Sequence, residues 1–128
     1  MKYKFSGKEA EKIHKHGIDL TIYEGRTPTA SVVRVTVKEG HFQEFYDTKS
    51  AYIYLILEGQ GIFVLNDEMV QAESGDMIVI PAKTRIHYFG SMKMVLTVSP
   101  AFDPNNERHV RFVKKEESPF IKSSSKKA

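Results

Sequence analysis

The chain contains no cysteine. That absence excludes disulfides, thiolate metal ligands and a cysteine nucleophile together. It also lacks any apolar run near the ~18 residues that a membrane span requires. Its N-terminal MKYKFSGKEAEK offers neither an apolar stretch nor a small-residue cleavage site to direct export. The expectation is a cytoplasmic protein with no membrane partner. A basic stripe is missing too. Residues 114–128 hold five lysines against Glu116 and Glu117, a net of +3 that equals the formal charge of the whole chain, so the remainder is balanced. A neutral body gives a phosphate backbone nothing to follow, and no nucleic-acid partner is expected. The tail 114–128, ending SSSKKA, reads as a basic, disordered end.

What is present fits one domain. The chain has 128 residues, of which 41% are hydrophobic, enough for a single packed core. The domain is assigned to 1–113, with a short helix over about 7–16 and a barrel over about 18–113. The helix rests on the capping-box spacing of Ser6 and Glu9, the helix formers in GKEAEKIHKH, and Gly17 at the expected end. On a helix His14 and His16 point about 200° apart, so they read as solvated rather than as a chelating pair. From Ile18 onward the pattern becomes short β-like runs rich in Val, Ile, Tyr and Phe: ASVVRVTV (30–37), AYIYLIL (51–57), GIFVL (61–65), MVQA (69–72), MIVI (77–80), RIHYF (85–89), KMVLTVS (93–99) and RHVRFV (108–113). Turn chemistry separates them, including EGQG, LNDEM, AESGD, PAKT, FGSM and PAFDPNN. Strands at this spacing without intervening helices predict an all-β, antiparallel sandwich or barrel.

Two segments carry a family resemblance. YDTKSAYIYLILEGQGIFVL (46–65) resembles the first motif of the cupin superfamily, H-x-H-x3-E-x6-G, and GDMIVIP (75–81) with its following strand resembles the second, G-x5-P-x-G-x2-H. The chain thus looks like a small RmlC-like cupin, which implies a double-stranded β-helix, or jelly-roll, barrel. That superfamily hosts many unrelated chemistries, so the likeness speaks for fold more than for function.

In metal-binding cupins histidines and a glutamate converge inside the barrel. Counting back from Gly59, the first motif's histidines fall on Tyr46 and Thr48 and its glutamate on Tyr52. Neither phenol nor hydroxyl is a usual ligand for a divalent ion at neutral pH. Asp47 has the wrong parity for the Tyr46/Thr48 face. In the second motif the histidine position falls on Ile86, with His87 one residue late. Either Ile86 and Tyr88 enter the barrel while Arg85 and His87 face outward, or an extra loop residue turns His87 inward with Arg85 and Phe89. The alternation favours the first arrangement. The resemblance with its ligands replaced implies no metal and no cofactor.

The candidate ligand-binding residues are therefore Tyr46, Thr48, Tyr52, Tyr54, Ile86 and His87. Tyr52 and Tyr54 share a strand face by their spacing of two, and they read either as ligand-contacting phenols or as sheet packing. His41 reads either as a rim histidine or as an acid or base at a pocket mouth. His109 and Arg111 read as solvated, and Asp103 and Asn105 as turn residues. The best-supported function is a cupin that binds a small molecule inside the barrel without a metal. Alternatives are a metal-independent sugar-nucleotide isomerase or epimerase, pairing His41 or His87 with Tyr46 or Tyr52, and a metal-dependent cupin using His87. The run AYIYLIL is apolar on both faces, so a partner subunit or the N-terminal segment is expected to cover its outer face, and a homodimer is predicted.

Overall fold

Two long bent strands organise the molecule. In the computed structural model, which describes residues 2–25 and 27–120, β5 (Ala51–Leu65) and β8 (Ile86–Ser99) pair antiparallel over nearly their whole length. The other strands are β1 (Glu11–Lys15), β2 (Ile18–Ile22), β3 (Ser31–Val37), β4 (Gly40–Asp47), β6 (Glu68–Glu73), β7 (Met77–Ile80) and β9 (Glu107–Phe112). The first half of β5 pairs with β7 and with the C-terminal half of β8, which continues to β3, β2 and β1. The second half of β5 pairs with β6 and with the N-terminal half of β8, which continues to β4 and β9. Two antiparallel sheets thus share the same two strands and fold over one another as a jelly-roll barrel.

EGQG and FGSM are bends within these strands, where turns were expected. At Gly90, φ is 126°, and an added Cβ would lie 2.5 Å from the Gln60 oxygen and from the Gly61 Cα. The ladder continues through the Gly61–Gly90 pair. Paired glycines let the strands cross closely and turn the corner without breaking.

Three expectations need correction. Residues 7–16 form no helix: the chain turns at Ser6–Glu9, where the Lys8 N–H donates to the Ser6 hydroxyl, and then enters β1. Gly17 ends no helix. With His16 (φ 51°) and its own φ of 89°, it makes the positive-φ tip of the β1–β2 hairpin. Ile13, Ile18, Leu20 and Ile22 face the barrel, so tertiary burial overrides a modest helix preference. In the tail, residues 114–120 pack on the domain: a 3-10 turn spans Lys115–Glu117, Ser118 is buried, and Lys115 pairs with Glu39. The expected disorder of 121–128 concerns residues outside those described. Finally, β4 was not anticipated as a strand.

The interior is filled by Phe63, Tyr54, Tyr88, Ile56, Ile80, Ile86, Met92 and Met94, all essentially inaccessible. On the outer face, Leu55, Leu57, Met77 and Val79 are exposed. That is the face on which the expected second copy would sit. Among the described residues no helix is long and apolar enough to cross a membrane.

Candidate functional site

The site is built on β4. Its pairing with β8 passes from His41–Tyr88 to Phe45–Ile86, so β4 carries extra residues in a bulge. His41, Gln43 and Phe45 line an internal cavity of about 220 Å³, while Glu44 faces the other way. Tyr52 and Tyr54 from β5, Tyr88 from β8, Glu107 at the start of β9, Lys15 from β1, Ser31 from β3 and Tyr23 complete its polar wall. Apolar side chains of β2, β3 and β8, among them Leu20, Val33 and Leu96, form the rest.

His41 is 3% exposed. Its ring stacks on Tyr88 at 5.2 Å and 21°, and meets Phe45 edge-on at 5.3 Å. Burial first, then the positive neighbours His16, Lys15 and His87, lowers its pKa to about 3. The ring is therefore neutral at physiological pH, and its Nδ1 has no hydrogen-bond partner among the described residues. Tyr54 and Tyr88 have rings 5.7 Å apart. Their hydroxyls share a hydrogen bond, and burial raises both pKa values. Tyr88 thus keeps its own proton available. Burial also raises the Tyr52 phenol, helped by the carboxylates of Glu107 and Asp47. The cavity holds one neutral base beside protonated phenols.

The six candidate residues divide. Tyr52 and Tyr54 line the cavity. Tyr46 and Thr48 do not, because the inward face of β4 is the odd-numbered one. Tyr46 is half-buried opposite Arg108 of β9, and the Thr48 backbone N–H bonds to the Asn106 oxygen. Asp47, set aside on parity, is the buried residue, and its carboxylate accepts from the backbone of Lys49 and Ser50. Ile86 does face inward but lies in the packed core rather than on the cavity wall. His87 points to the opposite side of the sheet, as alternation favoured. That side is not solvated: His87 is 4% exposed and sits 3.5 Å from the Glu44 carboxylate and edge-on to Phe89. The segment from β9 to Ser118 covers it, with Val113 packed against Val64 and Phe89. Gln43, Glu107 and Lys15 carried no motif signal. Tyr88 was placed inward by its parity with Ile86, and it was not named as a site residue.

The cupin fold raises the question of a metal ion. The inward positions nearest the motif spacing present Phe45, Tyr52, Ile86 and Tyr88, with His41 as the lone imidazole on the wall. Among the described residues no group of three or more His, Asp or Glu side chains is arranged to hold an ion. One imidazole and one carboxylate among phenols, an amide and apolar groups are a poor donor set for a divalent cation.

No protein-family model and no curated protein matches the chain. Solved structures do. Streptomyces Pac13, described as a nucleoside dehydratase, is 56% identical, with 93% of this chain and 99% of that one covered at a TM-score of 0.91. The chain belongs to the Pac13 family of cupins. Pac13 variants with a histidine-to-glutamine or a tyrosine-to-phenylalanine substitution, each with uridine, superpose equally well at 55% identity. More distant cupins share only the fold. KdgF from a Halomonas species is 20% identical over 80% of this chain and 97% of its own, at a TM-score of 0.69. An RmlC-like cupin from Shewanella frigidimarina is 16% identical over 80% and 95%, at 0.66.

Proposed function

We propose that this chain is a metal-independent nucleoside dehydratase whose base is His41 and whose proton donor is Tyr88. One observation carries the reading. The histidine and the two tyrosines substituted in the Pac13 variants each lie one residue further along that chain than His41, Tyr54 and Tyr88 lie here. These are the three residues that meet in the cavity.

Loss of water from a sugar requires a base for one C–H proton and an acid for the departing hydroxide. His41 is neutral and its Nδ1 is unengaged, so it accepts the proton as the carbon–carbon double bond forms. Tyr88, whose proton burial retains, protonates the leaving hydroxide to water. Transfer from the imidazolium back to the phenolate across the stack restores both groups. That return is strongly downhill, because burial lowers the histidine and raises the tyrosine. A sugar C–H gives its proton to an imidazole only when an adjoining carbonyl acidifies it, so the substrate on this reading is a nucleoside oxidised next to that carbon.

The test is direct. Uridine should bind the wild-type chain and raise its melting temperature in proportion to occupancy. Carbonyl-bearing uridine derivatives should lose one water by mass spectrometry. His41→Gln should keep uridine binding and lose about 10²–10⁴-fold in rate. Undiminished turnover in that variant would remove His41 from the role.

A further inference from the structure

The cavity wall contains a group that the proposed chemistry does not use. Gln43 lies between His41 and Phe45 on the inward face of β4, 9% exposed. Its Nε2 stands 3.0 Å from Nδ1 of His109, an exposed residue of β9. With the His109 ring hydrogen on Nε2, Nδ1 is the acceptor and the amide nitrogen donates to it. The His109 ring is itself packed on Phe112 at 4.6 Å.

In that tautomer the contact fixes which way the amide faces. With one N–H given to His109, the Gln43 oxygen and its other N–H form a flat acceptor–donor edge in a fixed order. Among the described lining residues Gln43 alone offers such an edge. Lys15 only donates, an ionised Glu107 only accepts, and each tyrosine presents a single oxygen. A base edge is its complement: His41 and Gln43 line the same wall of the cavity, which sets a base at Gln43 when the sugar is at His41. Uracil presents N–H beside a carbonyl, and cytosine presents a bare nitrogen beside an amino group, the reverse order. A freely turning amide flips to suit either. A pinned one accepts a single order and leaves the other with facing donors and facing acceptors.

We infer that Gln43, pinned by His109, is the base-reading residue, and that His109 acts from outside the cavity as the positioning residue that makes the site select imide-bearing bases over amino-bearing ones. The inference rests on the nucleoside reading above, and on uridine as the ligand of the related Pac13.

The experiment measures uridine and cytidine affinity by calorimetry for the wild type, His109→Ala and Gln43→Ala. The wild type should prefer uridine by roughly 10- to 100-fold, the span of one unsatisfied buried polar pair. His109→Ala, an exposed change that touches no ligand, should bring the ratio close to one chiefly by tightening cytidine. Gln43→Ala should weaken uridine and also bring the ratio close to one. A wild type that binds uridine with a ratio unmoved in His109→Ala overturns the pinning alone. One that binds neither nucleoside overturns this inference and the proposed function together.

Discussion

His41 and Tyr88 are register partners across the β4–β8 ladder, and their rings stack 5.2 Å apart. As the proposed base and acid they would share one proton circuit, and one atom can be removed without disturbing the stack. Tyr88→Phe deletes the donor oxygen and leaves the ring. Uridine affinity should stay within a few-fold while dehydration falls by about 10²-fold or more. The buried Tyr54 hydroxyl loses its hydrogen-bond partner, so unfolding should become easier by roughly 1–3 kcal/mol. Full activity in Tyr88→Phe would show that the proton comes from elsewhere.

The buried histidines make stability depend on pH. His41 has a folded pKa of about 3 against 6.5 unfolded, lowered mainly by burial, and His87 is lowered with the same first cause. Between these values the unfolded chain binds protons that the native chain refuses. Stability therefore rises with pH across that window and levels off above about 6.5, with the His41 contribution on the order of several kcal/mol. Denaturant midpoints measured from pH 4 to 8 should climb and then flatten. The climb should be shallower in His41→Gln, and an equal slope in that variant would be evidence against a buried neutral His41.

The barrel was legible and the site only half so, for reasons of period and parity. Strands such as SVVRVTV and AYIYLIL announce themselves by composition, the first motif's Gly59 and Gly61 mark where β5 bends, and the second motif's Gly75 marks the β6–β7 turn. Counting from the first motif's glycine found Tyr52 and its neighbour Tyr54. It placed Tyr46 and Thr48 one residue off the odd-numbered inward face of β4, and a shift of one residue reverses every side chain. GHFQEFYD has buried side chains facing both ways, Gln43 into the cavity and Glu44 toward the outer charged cluster. Such a strand shows no alternation of polar and apolar residues. Lys15 and Glu107 reach the cavity from opposite ends of the chain, a proximity that no local pattern encodes.

Gly90 tests the strand crossing. Its φ of 126° is unfavourable for any side chain, and an alanine Cβ would fall 2.5 Å from backbone atoms of Gln60 and Gly61. These are main-chain atoms of a paired strand, so they cannot swing aside. Gly90→Ala should cost about 3 kcal/mol or more, read as a lowered denaturant midpoint. Gly75→Ala makes the control: its φ is also positive, at 95°, yet nothing lies within 4 Å. It should suffer the backbone strain alone and be milder. Equal losses at the two positions would mean that the close crossing adds nothing.

Glu44 tests how the back of the site is held. Its side chain is 2% exposed and lies 3.2 Å from both Arg85 and Arg111, which are in turn held by Asp67 at 2.8 Å and Glu117 at 3.1 Å. Arg111 belongs to β9, whose residues are mostly exposed and which has no strand partner other than β4 among the described residues. Apolar burial holds β9 weakly, so the buried carboxylate anchors the strand that brings Glu107 to the cavity and His109 to Gln43. Both guanidinium groups reach solvent and recover hydration when the carboxylate is neutralised. The loss in Glu44→Gln is therefore put at roughly 1–3 kcal/mol, below that of a fully buried pair. The local effect should exceed the global one: amide exchange across residues 107–118 should accelerate more than exchange in β5 and β8, because the covering segment opens while the barrel stays closed. Exchange that rises uniformly would assign Glu44 to general stability, and unchanged exchange would mean that the ladder and Val113 suffice to hold the strand.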